Sequence, residues 1–412
     1  MTLLIPAADS EADMIHSGTP AFWRATLALC LGSFMIFANV YITQPLLPML
    51  AEAFGVSALQ SGWSFTITTL MLGVSLLLYG PLSDALGRKW IMLFSMAGAT
   101  LCTALISQVD DYSMLLLLRA LQGICLGGLP AVAIAYMGDE FSKRALSVAV
   151  GLYIAGNSLG GIGGRLIGGF VGDWLGWAAA FEVMAVVSLI CLVVFYGLLP
   201  DSAHFKPSPL QPRKMAADML THLKNPLLLV AYLIGGFNFF IFINQYSYAT
   251  FLLSDAPYNL SAGFLGMLFL TYLSGTLGSM LSGRICHFIP QPLVMVLGIM
   301  LLIAGSLVTL IADINAIIAG FLINALGFFI AHSCASSWVS QHAKHARASA
   351  SSLYLLFYYL GASCGGFYLQ PFWDAAGWQG VIAGSLLVLC FTAGLALWLY
   401  RQTQIALRPA QG

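Results

Sequence analysis

Long apolar runs separated by short polar stretches set the pattern of this chain. A bilayer core takes about 20 apolar residues per helix. Runs of that scale lie at 22–49, 61–82, 90–108, 113–137, 146–170, 178–199, 226–252, 262–284, 291–311, 315–338, 348–371 and 378–400. They do not alternate with the period of two that a membrane strand would show. Because hydrocarbon offers no partner to backbone polar groups, the pattern predicts an all-α membrane protein with twelve transmembrane helices, spans 1–12.

The charged residues of the loops separate by sign. Alternate loops and both chain ends are basic, at Arg24, Arg88, Lys89, Lys143, Arg144, Lys206, Arg213, Lys214, Lys224, Arg284, Lys344, Arg347, Arg401 and Arg408. The other loops are acidic, at Glu52, Asp110, Asp111, Asp173, Asp255, Asp313 and Asp374. Lys and Arg accumulate on the cytoplasmic side of membrane proteins. We therefore expect this basic face and both termini in the cytoplasm, opposite an acidic face.

The chain divides into two halves of similar layout. Residues 200–225 form a long polar stretch whose prolines resist a continuous helix. We predict a cytoplasmic tail over 1–20, six-helix bundles over 21–199 and 226–400, a cytoplasmic linker over 200–225 and a tail over 401–412. A duplication is indicated by pairs of matching positions: Gly80 and Gly283, Arg144 and Arg347 (both 203 apart), and Asp173 and Asp374 (201 apart).

Composition narrows the class of protein further. Of the 412 residues, 59% are hydrophobic and only 8% charged, against about 25% charged in soluble domains. Sixteen basic and sixteen acidic residues cancel, so no global field favours nucleic acid. The eight cysteines lie in apolar runs without a C-x-x-C pair, which predicts buried hydrophobic side chains. We expect no metal and no cofactor, and we interpret the first run as a retained span rather than a signal peptide.

Short motifs mark the ends of several spans. Gly80-Pro-Leu-Ser-Asp84-Ala-Leu-Gly87-Arg88-Lys89 follows span 2, Arg119-Ala-Leu-Gln122-Gly123 lies in span 4, and Glu140-Phe-Ser-Lys-Arg144 follows span 4. Span 5 carries Gly151, Gly160, Gly164 and Gly168. These runs resemble motifs of the major facilitator superfamily. More narrowly, 151–169 and 349–363 resemble the twelve-span drug:proton antiporters and their YnfM-type bacterial inner-membrane permeases, with Arg165 where the antiporter motif has proline.

The resemblance implies two pseudo-symmetric six-helix bundles and a conformational latch. Asp84 can accept hydrogen bonds from exposed N–H groups at a helix start, and the family places the start of span 11 there when the cytoplasmic side is closed. The expected latch residues are Gly80, Asp84, Gly87, Arg88, Lys89, Glu140 and Arg144. The alternative is a solvated loop whose basic residues only anchor the topology.

Three charged residues within the spans are candidates for proton coupling. A charge inside the bilayer is costly unless it is paired or wet. Arg119 is either a cavity-lining cation or an arginine near the headgroups. Arg165 and Glu182 lie at one depth in the antiparallel spans 5 and 6, which predicts a titrating pair. The alternatives are a static ion pair, or two side chains that snorkel separately to the membrane surface.

Family topology assigns the solute cavity to spans 1, 4, 7 and 10, with contributions from spans 8 and 11. The cavity candidates are Asn39, Thr43, Gln122, Asn238, Gln245, Tyr272, Asn324, Phe328, Tyr354 and Tyr358. Aromatic walls with few neutral polar groups suit amphipathic organic solutes. Because span 1 lacks a carboxylate, neutral or anionic solutes are favoured over cations. His332 is expected to be a hydrogen-bonded core histidine. The span 5 glycines are expected to form a smooth helix-packing face.

Together these features predict a monomeric, proton-coupled efflux carrier of the bacterial inner membrane. Its partners would be a small-molecule substrate, protons and the lipid bilayer, with no nucleic acid. A proton-coupled importer or a lipid flippase on the same fold is the nearest alternative. A membrane-embedded enzyme would need a nucleophile with its base or clustered metal ligands, and a channel would need a filter-like repeat; neither is evident in the sequence.

Overall fold

The computed structural model describes residues 14–407 except 206, 208 and 210, and this part of the chain is almost entirely helical. Spans 1–10 are Pro20–Phe54, Ala58–Leu86, Arg88–Ile106, Tyr112–Glu140, Lys143–Leu175, Trp177–Leu198, Pro226–Ser254, Ala262–Ile285, Gln291–Val308 and Ile314–His342. A further helix, Pro212–Leu223, lies within the polar segment between the halves, beginning at a proline, where the missing N–H costs nothing. We name it the linker helix.

Spans 11 and 12 are joined in one helical stretch, Arg347–Leu407, of 61 residues. A straight helix of that length would measure about 90 Å, three times the hydrocarbon thickness. The stretch bends where Ala376 and Gly377 leave helical geometry, and Gly377 adopts a φ of 54° that glycine tolerates. The segments on either side, 347–375 and 378–407, are the eleventh and twelfth spans, so the prediction of an all-α, twelve-span fold is confirmed.

Span 1 is broken near its acidic end. Its first helix ends at Tyr41, a 3₁₀ turn covers Gln44–Leu46, and a second helix runs Leu47–Phe54. Pro45 has no N–H to donate to the preceding turn, so the break leaves carbonyl groups without helical partners. Those carbonyls need other donors, and one arginine described below supplies them.

Several helices begin at side-chain caps on the acidic face. Ser57 and Gln60 form a reciprocal capping box at the start of span 2. Asp111 accepts from the Met114 N–H at 2.9 Å, and Asp313 accepts from the Asn315 N–H at 2.9 Å. Asp111 and Asp313, 202 residues apart, start the equivalent spans 4 and 10. Asp111 and Asp313 therefore cap the first turns of helices as well as contributing to the charge of the face.

The duplication is repeated in the helix packing. Cβ atoms added at Gly160 and Gly164 of span 5 would overlap backbone carbonyls of span 1, at Phe34 and Ala38. Cβ atoms added at Gly361 and Gly365 of span 11 would overlap those of Gly236 and Phe240 in span 7. The glycines are 201 residues apart and the carbonyls 202, so the same close crossing occurs in both halves.

The two halves pack together towards the acidic face. Thr69 and Ser363 hydroxyls lie 3.2 Å apart, Gln44 donates to Ser247 at 3.2 Å, and Trp63 stacks on Phe367. Within the described residues, the hydrogen bonds between the halves lie no nearer the basic face than the Thr69–Ser363 contact.

Towards the basic face the packing is looser. A Cβ added at Gly80, Gly151 or Gly283 would meet nothing within 4 Å. The structure therefore holds the halves closed at the acidic face and apart at the basic face. We call the interface between the halves the seam.

Candidate functional site

A buried arginine lies in the seam, on the acidic side of its middle. Arg165 of span 5 is 1% exposed. Its Nε donates to Gln44 Oε1 at 2.8 Å, Nη1 to the Gly161 carbonyl at 3.0 Å and Nη2 to the Tyr272 hydroxyl at 3.4 Å. Gln44 and Gly161 belong to the first half and Tyr272 to the second, so this guanidinium bridges the halves.

Three aromatic rings surround the Arg165 guanidinium. The ring centroids of Tyr41, Phe269 and Tyr272 lie 3.9, 4.2 and 4.6 Å from its Cζ. Cation–π attraction at such distances is worth about 2 kcal/mol or more when the cation is desolvated. The rings come from both halves, and they stabilise a charge that the hydrocarbon would otherwise expel.

No carboxylate balances this charge in the described part of the chain. The ion pairs there join Arg88 to Asp84 and Asp139, Lys89 to Asp201, and His204 to Glu140. All of them lie at the basic face, far along the helices from Arg165. The seam thus contains a buried cation held only by dipoles and aromatic faces.

The second half lines the seam with stacked aromatic rings. Phe242 stacks on Phe328 with centroids 3.9 Å apart, and Phe239 on Tyr358 at 3.7 Å. The Phe242 ring lies 5.2 Å from that of Tyr272, which connects the stack to Arg165. Planar apolar surface of this kind suits the body of an organic solute. We call this cluster, with Tyr41 and Phe65 of the first half, the aromatic seam.

His332 belongs to the same cluster. Its Nδ1 lies 2.9 Å from the Tyr354 hydroxyl, and its ring is 4.8 Å from that of Tyr358. The expectation of a hydrogen-bonded histidine agrees with this contact. Sequence reasoning did not connect it to the seam, because the i,i+4 spacing from Phe328 shows a shared helix face but not what that face meets.

Arg119 is also fully buried, but its surroundings differ from those of Arg165. Its guanidinium donates to the carbonyls of Ser64, Asn39 and Val40, and to the side chains of Thr43 and Gln122. These acceptors occupy all five N–H groups of an arginine. The carbonyls of Asn39 and Val40 are those freed by the break in span 1. Arg119 therefore closes the end of a helix, where the dipole is negative, and its buried side chain lies neither in an open cavity nor near the headgroups.

Polar side chains expected in the cavity bond to one another inside the first half. Asn39 donates to Ser188 at 2.8 Å and accepts from Thr103 at 2.7 Å. Gln122 donates to Thr103 at 2.7 Å. These contacts tie spans 1, 3, 4 and 6 together, so Asn39 and Gln122 are part of the bundle core.

The second half contains the equivalent network. Asn324 donates to Gln245 at 2.9 Å and to Ser306 at 3.1 Å. Ser306 is 203 residues from Thr103, the offset of the duplication. Asn238 accepts from Thr392 of span 12 at 3.0 Å. In both halves, sequence reasoning found the buried amides but could not tell a cavity wall from a bundle core, because both place polar groups in mid-span.

Glu182 does not pair with Arg165, contrary to the sequence-based expectation. Glu182 is exposed and accepts from Gln108 at 3.3 Å near the acidic face. Arg165 shares its helix face with Gly161 and Gly169, and Gly169 packs against Ala262 of span 8. The two residues match in depth, but the rotation of span 5 turns Arg165 towards the second half.

At the basic face, four of the expected latch residues, Asp84, Arg88, Lys89 and Glu140, bond within the first half or to the start of the linker. Arg88 binds Asp84 and donates to Asp139 at 3.0 Å, while Lys89 donates to Asp201 at 2.8 Å. Glu140 accepts from the backbone N–H of His204 at 3.0 Å. Arg144 is exposed. Asp139, Asp201 and His204 were missed from the sequence, since only folding brings Asp139 to Arg88 and the linker start to spans 3 and 4.

The remaining expected residues have separate positions. Gly168, like Gly160 and Gly164, packs on span 1, close to the Ile42 carbonyl, whereas Gly151 faces open space. Gly87 caps the end of span 2 with a φ of 105°, a conformation for which glycine is suited. The glycine face thus holds span 5 against its own half, and Gly169 provides the contact across the seam.

A duplicated bundle of twelve spans around a buried polar and aromatic seam defines a polytopic membrane carrier. Residues 29–366 match the Major Facilitator Superfamily. The chain therefore belongs to this superfamily and is a membrane transporter rather than an enzyme.

Curated relatives and solved structures agree with this assignment. The chain is 36% identical over 385 residues to the uncharacterized MFS-type transporter YybF of Bacillus subtilis, covering 93% of this chain and 94% of YybF. It is 36% identical to the inner membrane transport protein YnfM of Escherichia coli, covering 96% and 97%. Its fold matches an inward-facing, unoccupied bacterial homologue of the lysosomal transporter Spinster, with a TM-score of 0.75 at 16% identity, covering 96% of this chain and 100% of that one.

Proposed function

We propose that this transporter exports a small amphipathic organic solute by alternating access, in exchange for protons, across the bacterial inner membrane. The observation that carries the proposal is the asymmetry of the seam. The halves meet through Thr69, Ser363, Gln44 and Ser247 near the acidic face, while Gly80 and Gly283 face open space near the basic face. A rocking motion of the halves would reverse this arrangement.

The orientation of the carrier in this proposal rests on the charge of the loops. Basic loops favour the cytoplasm, so the state described here would receive solute from the cytoplasm. The relative YnfM is named an inner membrane transport protein, which supports that location for this chain. Both halves of the seam come from one chain, so a monomer suffices for the cycle.

The latch supplies the switch in this proposal. With the basic face open, Asp84 binds Arg88 of its own half. When the halves close there, Asp84 would turn to the N–H groups at the start of span 11, whose helix begins at Arg347. Arg88 also binds Asp139 here, and it would keep that partner when Asp84 turns away.

Proton coupling requires a group that titrates during this cycle. Glu182 remains a candidate near the acidic face, and the structure adds His332, an imidazole inside the aromatic seam. Arginine stays protonated in proteins, so Arg119 and Arg165 would act on coupling only through their charge.

The test uses inside-out membrane vesicles energised to an acidic lumen. We expect 1-naphthoate or another neutral or anionic amphipathic probe to enter the lumen and release protons, reported by recovery of a quenched acridine dye, with the cation ethidium as the parallel probe. Asp84→Asn should abolish the response at normal protein levels, whereas exposed Asp255→Asn should retain it. Glu182→Gln or His332→Gln should remove the pH dependence. Probes that leave the lumen together with protons would show an importer, and lipid movement alone would show a flippase; either result overturns the proposal.

A further inference from the structure

Arg165 has hydrogen-bonding capacity that its surroundings do not use. A guanidinium carries five N–H donors, and Arg165 uses three of them, for Gln44, Gly161 and Tyr272. Each terminal nitrogen makes one bond and keeps one N–H without a partner among the residues that the structure describes. Arg119 offers the internal comparison, because its five hydrogen bonds use every donor.

We propose that Arg165 binds an anionic group of the transported solute, and that this solute is an organic carboxylate with a flat apolar body. The proposal rests on the proposed transport function and specifies its substrate class. A carboxylate pairs with two N–H groups of one guanidinium in a bidentate geometry that few other groups match. The aromatic seam beside Arg165, with Tyr272, Phe242 and Phe328, would hold the apolar body.

Charge balance supports the same assignment. Arg165 is 1% exposed and has no acidic partner among the residues that the structure describes. A buried ion without a counter-ion is strongly disfavoured. The surrounding rings and amide dipoles reduce this cost. A bound carboxylate would remove most of the remaining free-energy cost of burying the Arg165 charge, whereas a cationic solute would be repelled.

The location of Arg165 explains how binding would reach the rest of the molecule. The guanidinium links Gln44 of span 1 to Tyr272 of span 8, and Gln44 in turn donates to Ser247 of span 7. The Tyr272 bond, at 3.4 Å, is the longest of the three that Arg165 makes, so it is the one most readily exchanged for a carboxylate. Exchange there would alter a contact between the halves, which couples occupancy of the site to the closed end of the seam.

Binding to the purified full-length protein in detergent tests the assignment. The probes are 1-naphthoate, its neutral amide 1-naphthamide and the cation 1-naphthylmethylammonium, followed by calorimetry and thermal melting. We expect the wild type to bind naphthoate and to bind the other two at least about tenfold more weakly, the scale of one charge-assisted hydrogen bond. Arg165→Gln should lose the preference for naphthoate.

Two further variants separate the effect of the guanidinium from that of charge alone and from general effects of substitution. Arg165→Lys keeps the positive charge but lacks the planar guanidinium that binds a carboxylate through two N–H groups. Naphthoate binding should therefore weaken, while the preference for naphthoate over naphthamide should remain. Arg24→Gln, at an exposed arginine, should bind like the wild type. If Arg165→Gln does not fold, Arg165→Lys decides alone. Unchanged naphthoate affinity in either Arg165 variant, equal binding of naphthoate and naphthamide, or no binding of naphthoate by the wild type would overturn the assignment.

The result can be separated from the proposed transport function. If vesicles exchange ethidium for protons but the protein does not bind naphthoate, export stands and the carboxylate site falls. If naphthoate binds through Arg165 but neither it nor another probe moves in vesicles, the site stands and the transport proposal falls.

Discussion

At the scale of single residues, two buried arginines perform different tasks that the sequence does not distinguish. Arg119 satisfies carbonyls freed by the break at Pro45, and all its donors are used. Arg165 lies among aromatic rings in the seam, and its hydrogen bonds use only three of its five N–H groups. Both appear in the sequence only as a charge inside an apolar run. The difference lies in which helix face meets which neighbour.

The role of Arg119 leads to a prediction on stability. Arg119→Met should remove the donors to the carbonyls of Asn39 and Val40, which the break in span 1 leaves without helical partners, and each such buried group costs about 1–3 kcal/mol. We expect a marked fall in melting temperature and in folded yield in detergent. Arg24→Met, at the exposed arginine, is the control and should melt like the wild type. A melting temperature unchanged by Arg119→Met would refute the capping role.

At the scale of elements, the glycines of span 5 decide how closely helices approach. Gly164 faces the Ala38 carbonyl and Gly365, its counterpart in span 11, faces that of Phe240. Small residues allow such crossings in membranes, where no hydrophobic effect drives helices together. The same crossing in both halves shows that the duplicated unit includes its packing contacts.

This packing predicts opposite effects of one substitution at two positions. Gly164→Ala places a Cβ against the backbone of span 1 and should reduce thermal stability and folded yield. Gly151→Ala enters open space and should be neutral or stabilising, by up to about 1 kcal/mol from helix propensity. Thermal melting of both variants in one detergent is the measurement. Equal effects at the two positions would contradict the packing described here.

Elements also show what the sequence could and could not provide. Twelve spans were predictable because a span needs only length and hydrophobicity, and the duplication followed from anchors such as Gly80 and Gly283. The pairing of Arg165 with Glu182 failed because depth along a helix can be counted, whereas the rotation of span 5 about its axis depends on packing. The break in span 1 and the linker helix were also not predicted, because they depend on local backbone hydrogen bonds that a hydropathy pattern does not reveal.

At the scale of the whole molecule, the two halves behave as units joined by a seam with one closed and one open end. Each half has its own polar network, centred on Thr103 in the first half and Ser306 in the second. Such internal bonding allows a half to move without repacking. Among the described residues, few hydrogen bonds join the halves, which suits the opening and closing of the proposed transport cycle.

The most direct test of alternating access measures both ends of the same two helices. Spin labels at Trp174 and Phe264, 80% and 57% exposed, report on spans 5 and 8 at the acidic face. Labels at Val148 and Met280, 46% and 67% exposed, report on the same spans towards the basic face. Exposed Cys364 and Cys390 would first be replaced by serine. Double electron–electron resonance in lipid nanodiscs is then recorded at high and low pH. Between the two conditions, the distance between the labels at one face should lengthen while the distance at the other face shortens. Distances that lengthen together, or one end that stays fixed while solute is transported, would contradict the account.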